Sequence, residues 1–408
     1  MKLNKYTVAT AGVTFHLMLG SVYAWSVYVT AIATKTHWAE SAITFAFSLA
    51  IFFLGMSAAF MGRLVEKFGP RVTGTISSFC YGIGTIMTGL AVHSNQLWLL
   101  YLAYGVIGGI GLGSGYVTPV STIIKWFPTR RGFATGCAIM GFGFAAMITS
   151  PIAQQLISTV GIERTFYILG IFYFIVMVTA AQFIKPPKRI ETVDESLQPG
   201  VSLTSGRQMT ANQAVKTPEF KMLWVMLFIN ITCGIGLVSA ASPMAQELTH
   251  MTVVKAAWMV GVVGIFNGAG RLAWASISDY IGRPNTFSLV FIMEGLLLFG
   301  LLGVNSTSVF TVVMCVIISG YGAGFSVIPA YLSDVFGTKE LGAIHGYVLT
   351  AWGLAGLVGP LVLSMSHQIL QSYNLTLIFF GILELLALVV SFAIRKRFKV
   401  VQTKLEQE

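Results

Sequence analysis

The stretch GRLVEKFGPR, residues 62–71, is echoed by ASISDYIGR, residues 275–283. In each copy an acid stands three residues before a glycine, and an arginine follows. The sets are Glu66, Gly69 and Arg71, then Asp279, Gly282 and Arg283. A second echo links WFPTRRG at 126–132 with VFGTKELG at 335–342, and Pro119 and Pro329 precede these at similar distances. Two echoes that both recur after about 210 positions mean that the halves of the chain follow one plan.

Composition says what the halves are made of. Of 408 residues, 55% are hydrophobic and only 10% charged, where soluble proteins carry about 25% charged residues. Apolar runs of about 20 residues recur along the whole length, each able to cross a ~30 Å hydrocarbon layer as a helix. Twelve such runs are read, the first at 7–31, the eighth at 253–275, the ninth at 286–304 and the last at 375–394. The expected fold is therefore an all-α membrane protein of twelve transmembrane helices in two six-helix bundles. The ~10-residue alternating segments of a β-barrel are absent. The first run is too long for a signal-peptide core, despite a cleavage-like Ala31-Ile32-Ala33, and is read as an uncleaved helix.

The net charge of +10 is not spread as a nucleic-acid surface would be. Of 25 Lys and Arg, only Lys35, Arg164 and Lys255 fall in loops on one side, and Arg271 falls inside a span. The rest collect on the other side, which the positive-inside rule makes cytoplasmic. Both termini are then cytoplasmic in a multi-pass protein of the cell (inner) membrane, with no nucleic-acid partner expected. Basic loops beside a bilayer also attract anionic headgroups, so the lipid bilayer itself is a partner.

The polar segment 185–217 is read as a cytoplasmic linker, because Pro, Gly, Ser and mixed charges cluster there. The domains are then 1–184, the linker 185–217, and 218–408. Two similar bundles on a linker suit a rocking transporter with its site between them near mid-membrane. Glu66, Arg71, Asp279 and Arg283 form a candidate conformational clasp at the cytoplasmic helix ends, made of charge-assisted contacts that break on opening. Cys80, Cys137, Cys233 and Cys315 lie singly in different spans, without metal or redox spacing. Glycines 105, 109 and 113, and 111 and 115, are spaced for close helix contact.

Arg271 stands in GIFNGAGRLAW, residues 264–274. It precedes Asp279 by two helical turns, placing it ~12 Å into the membrane, near the midplane. A guanidinium there costs at least ~2.5 kcal/mol and stays protonated, so it needs an acceptor. A carboxylate ligand fits its two-pronged donor geometry; Glu294 and Glu384 are the alternative acceptors within spans. Asn267, one turn earlier, shares its face and cannot ionise; it is a candidate substrate-binding residue, to hydrogen-bond a substrate hydroxyl or carboxylate or to orient Arg271. His16 and His345 lie in spans and are candidates to carry a coupling proton or to gate, and Tyr331 beside Pro329 is a candidate inner gate.

The two acid–glycine–basic loops resemble the repeated signature of the major facilitator superfamily, with Ala275 where glycine is usual. GSVYAWSVY at 20–28, KWFPTRRG at 125–132, TPEFKMLW at 217–224, NGAGR at 267–271 and SDVFG at 333–337 are similar to the oxalate/formate antiporter family, which is related to monocarboxylate (lactate) transporters. The resemblance implies that Arg271 binds a substrate carboxylate. It also implies an aromatic cavity of Tyr23, Tyr116, Phe142, Tyr321 and Phe325. The antiporters carry a lysine on helix 11 for a second carboxylate. Alignment from Gly337-Thr338 puts Trp352 there. One fixed cation under-neutralises a dianion in low dielectric, so the expected substrate is a small monocarboxylate such as lactate, pyruvate or formate. Proton symport is expected, with anion exchange of the oxalate/formate type as one alternative and a non-transporting membrane sensor as another. No polar cluster of catalytic or metal-binding spacing appears in the spans, so neither an enzyme nor a cofactor is expected.

Overall fold

The structure is a computed structural model that describes residues 4–127, 131–187, 208–370 and 372–405. All regular elements among the described residues are helices. Twelve long helical stretches follow one another. Helix α1 comprises Lys5–Leu19 and Trp25–Thr36 around a tight 3-10 segment at Gly20–Ala24. Then come α2 (Glu40–Phe68), α3 (Pro70–His93) and α4 (Leu97–Trp126). α5 (Arg131–Val160) and α6 (Ile162–Phe183) complete the first six. The second six are α7 (Pro218–Thr249), α8 (Val253–Ile281), α9 (Arg283–Gly300), α10 (Thr307–Phe336), α11 (Leu341–Val348 continuing as Thr350–Leu370) and α12 (Asn374–Leu405).

Eleven of these helices are long and apolar enough to cross a membrane. The remaining one, α9, has 18 residues, with Arg283 in its first turn and Glu294 in its body. It starts three residues before the run read at 286–304, because Gly282 and Pro284 set its first turn, and it ends four earlier, at Gly300. α4 holds a wider π-helical stretch at Tyr101–Gly108, which neither apolar periodicity nor length announces.

The glycines of the repeated motif have a backbone task. Gly69 has φ 83° and ψ 163°, and Gly282 has φ 85° and ψ 150°. This region is open essentially to glycine alone. Each caps a helix with proline in its first turn, Pro70 in α3 and Pro284 in α9. A Cβ added at either glycine meets no atom within 4 Å, so an alanine there carries backbone strain alone. Gly69→Ala and Gly282→Ala are each expected to lower stability by about 1–3 kcal/mol, read as a shift in unfolding in detergent. No shift in either variant would contradict this account of the motif.

Contacts divide the chain into two compact units. One holds residues 1–127, 137–190 and 342–353; the other holds 128–136, 191–341 and 354–408. In the first, the glycine stripes of α4 permit close packing. A Cβ at Gly109 would sit 2.7 Å from the Ala50 carbonyl of α2, and one at Gly111 2.9 Å from the Tyr81 Cα of α3. In the second, the end of the 185–217 segment is held rather than loose. Thr210 and Gln213 cap a one-turn helix, Ala211–Ala214. The Met209 N–H donates to the Phe336 carbonyl at 2.9 Å, and the Ala211 N–H to Glu340 Oε2 at 2.8 Å. Residues 188–207 of that segment lie outside the described residues.

Candidate functional site

In the second unit, Thr252 starts α8 by accepting from the Lys255 N–H. Twenty-nine unbroken helical residues carry Asn267 and Arg271 on one face. Arg271 is fully buried, 0% exposed. Its Nε donates to Asn267 Oδ1 at 3.3 Å, and its guanidinium carbon lies 4.7 Å from the centroid of the Phe325 ring. A guanidinium within about 6 Å of a ring is drawn to its negative face, more strongly when desolvated. Phe325 meets Tyr321 edge to face at 5.1 Å. α10 can bring these rings so near because Gly322 lies against α8. A Cβ on Gly322 would come within 2.7 Å of the Asn267 carbonyl and 3.2 Å of Arg271 Cγ. Asn267, Arg271, Tyr321 and Phe325 thus form one group.

A second group forms in the first unit. The Tyr116 ring packs on Phe142 at 5.4 Å, on Trp352 at 5.1 Å and on His345 at 6.0 Å. Phe142 also meets Trp352 at 5.7 Å and Tyr23 at 5.3 Å. His16 stacks on Tyr116 at 5.2 Å. Side chains from α1, α4, α5 and both parts of α11 therefore converge, and all but Tyr23 are buried. Tyr331 is buried within α10, 6.1 Å from the Phe287 ring of α9.

The repeated acids bind helix starts. Asp279 accepts from the N–H groups of Gly132 (2.9 Å) and Phe133 (2.8 Å) at the beginning of α5. It also pairs with Arg283 at 2.6 Å, and Arg283 reaches Asp334 at 3.1 Å. Burial works against the Arg283 charge, but Asp334 and Asp279 more than offset it and hold the group above its ordinary value. Glu66 accepts from the Gly342 N–H at the beginning of α11, at 2.9 Å, and pairs with Lys125 at 3.3 Å. Carboxylates at helix N-termini satisfy orphan donors and complement the helix dipole. Arg71 donates from Nε to the Gln182 carbonyl at the end of α6, at 2.8 Å. Sequence reasoning missed Lys125 and Asp334, although both stand in motifs it singled out, KWFPTRRG and SDVFG.

Two acids are buried in the second unit, Glu294 and Glu384. Asn230 Nδ2 donates to Glu294 Oε2 at 2.9 Å. Asn230 gave no sequence signal, because one asparagine in an apolar run carries no period. Among the described residues no group of three or more His, Cys, Asp or Glu is placed to hold a metal.

An all-helical chain with eleven span-length apolar helices and buried charges within them is a polytopic membrane protein. The chain belongs to the major facilitator superfamily, whose family description matches residues 10–360 and again 223–407. It is 30% identical over 343 residues to YhjX, an uncharacterized MFS-type transporter of Escherichia coli K12, covering 83% of this chain and 82% of that protein. It is 25% identical over 365 residues to the oxalate:formate antiporter of Oxalobacter formigenes, covering 87% and 83%. It is 23% identical to the apicoplast pyruvate carrier 1 of Toxoplasma gondii, covering 83% and 79%. Among solved structures, the E. coli fucose:proton symporter FucP aligns with a TM-score of 0.72 at 12% identity, over 95% of this chain and 98% of that one. The proton:xylose symporter XylE aligns with 0.72 at 13%, over 95% of each. The chain is thus a transporter of this superfamily with its fold.

Proposed function

We propose that the protein is a secondary active transporter of small monocarboxylates, of the lactate, pyruvate or formate class, working by alternating access of the halves 1–184 and 218–408. It sits in the cell membrane with both termini cytoplasmic, and it performs no catalysis. The observation that carries this reading is Arg271, buried in a span, bonded to Asn267 and set over Phe325. The carboxylate takes the guanidinium in two parallel charge-assisted hydrogen bonds. Tyr321 and Phe325 line the place beside the guanidinium, and Tyr23, Tyr116, Phe142 and Trp352 are the further cavity residues that the family resemblance implies. Glu66, Arg71, Asp279 and Arg283 latch the cytoplasmic helix ends. His345 is the candidate for proton coupling, and Tyr331 for the inner gate.

Two observations favour exchange as a second reading. Asn267 cannot ionise beside Arg271, and the chain is similar to an antiporter of oxalate and formate. Proteoliposomes separate the readings. Labelled lactate, pyruvate or formate should show counterflow, which a sensor would not support. An imposed pH gradient without internal anion should drive uptake under symport and should not under exchange. Trp352→Lys should raise oxalate uptake at least about tenfold relative to lactate, since a second buried cation offsets the second charge. Oxalate uptake equal to that of lactate in the wild type would contradict the substrate class.

A further inference from the structure

The ring of His16 is bound at both ends by carbonyl oxygens. Nδ1 lies 2.5 Å from the Ala138 carbonyl of α5, and Nε2 lies 3.1 Å from the Tyr116 carbonyl of α4. Backbone carbonyls only accept. A neutral imidazole offers one N–H and one lone pair, so it can donate to one of these oxygens and must turn a lone pair on the other. Only the imidazolium donates from both nitrogens. We propose that His16 is a standing imidazolium, a fixed buried cation on α1 that keeps its proton through the transport cycle rather than shuttling it.

Its surroundings suit a charge. His16 is 0% exposed. The Tyr116 ring stacks on it, 5.2 Å away at an interplanar angle of 26°, and Phe142 stands edge to face at 6.1 Å. An aromatic face attracts a desolvated cation, and hydrogen bonds that carry charge are about twice as strong as neutral ones. Tyr116 of α4 stacks on it, and the His345 ring of α11 lies 6.0 Å from that same tyrosine ring. Neither His345 nitrogen has a hydrogen-bond partner among the described residues. With one imidazolium already in place, a second in the same apolar cluster is disfavoured, so His345 is the neutral member of the pair.

This deepens the proposed function and rests on it in one respect: the rings stacked with His16 are those assigned to the substrate. The cation then attracts an anion without pairing with it, because both of its N–H groups are occupied, so a second carboxylate still finds no cation to bond. Arg271 provides the direct contact.

The test is nitrogen NMR of histidine-labelled protein in nanodiscs at pH 8, where an ordinary histidine with a pKa near 6.5 is about one-thirtieth charged. The chain has a single Phe-His pair, Phe15-His16, so pairwise labelling assigns this ring even if His16 variants fail to fold. The proposal expects both His16 nitrogens protonated at pH 8, with the signal absent in His16→Gln. One protonated and one bare nitrogen at pH 8 would overturn it, whatever the transport assays show. In those assays His16→Gln should raise KM for the anion about tenfold at pH 7.5. An unchanged KM would overturn the steering role and leave the Arg271 reading standing.

Discussion

Arg271→Gln is expected to cut monocarboxylate uptake at low substrate by about 100-fold. A hydrogen bond to a charged group is worth about 1.5–3 kcal/mol, and each 1.4 kcal/mol is a factor of ten. Losing the charge and one prong of the paired contact therefore removes two decades of affinity. The amide that replaces the guanidinium is small and polar and can still reach Asn267, which lies one turn away at 3.3 Å. The fold is thus retained, and expression and unfolding temperature should stay near wild type. Arg271→Lys keeps the charge but loses the planar pair of donors, and should cost about tenfold. Uptake within twofold of wild type in the glutamine variant would remove Arg271 from the binding step.

Asp279→Ala should produce the largest loss of stability. Asp279 takes two backbone N–H groups at the start of α5 and pairs with Arg283. Both charged side chains are well buried, at 15% and 9% exposure. Truncation strands the two donors and leaves Arg283 with Asp334 as its carboxylate partner among the contacts described above. Breaking a buried pair by removing one partner costs about 3–5 kcal/mol, and unsatisfied donors push in the same direction. An unfolding midpoint shifted by that amount is expected. In a double-mutant cycle, Arg283→Ala on the Asp279→Ala background should add far less than it costs alone. Additive losses would show that the two side chains act independently.

The parts legible in the sequence are those governed by short-range rules. The repeated glycines at 69 and 282 were visible because a left-handed turn leaves little choice of residue. Arg271 was visible because a charge in an apolar run stands out, and Asn267 because it lies one turn away. The members of the ring cluster came from a resemblance, and the structure gathers Tyr23, Tyr116, Phe142 and Trp352 in the first unit, with Tyr321 and Phe325 in the second. What pairs with what was not legible. The Lys125 partner of Glu66 and the Asp334 partner of Arg283 come from distant helices, and spacing along one helix says nothing about them. Nor could spacing show that Glu66 and Asp279 cap α11 and α5. The two carbonyls on His16 are equally hidden, because every residue of a helix carries one.

Direct binding tests the central claim without the complications of flux. Purified protein should bind labelled lactate, pyruvate or formate saturably at equilibrium, oxalate should compete more weakly, and Arg271→Lys should weaken monocarboxylate binding by at least about tenfold while leaving the fold intact. Oxalate bound as tightly as the monocarboxylates, or a lysine variant that binds like the wild type, would contradict it.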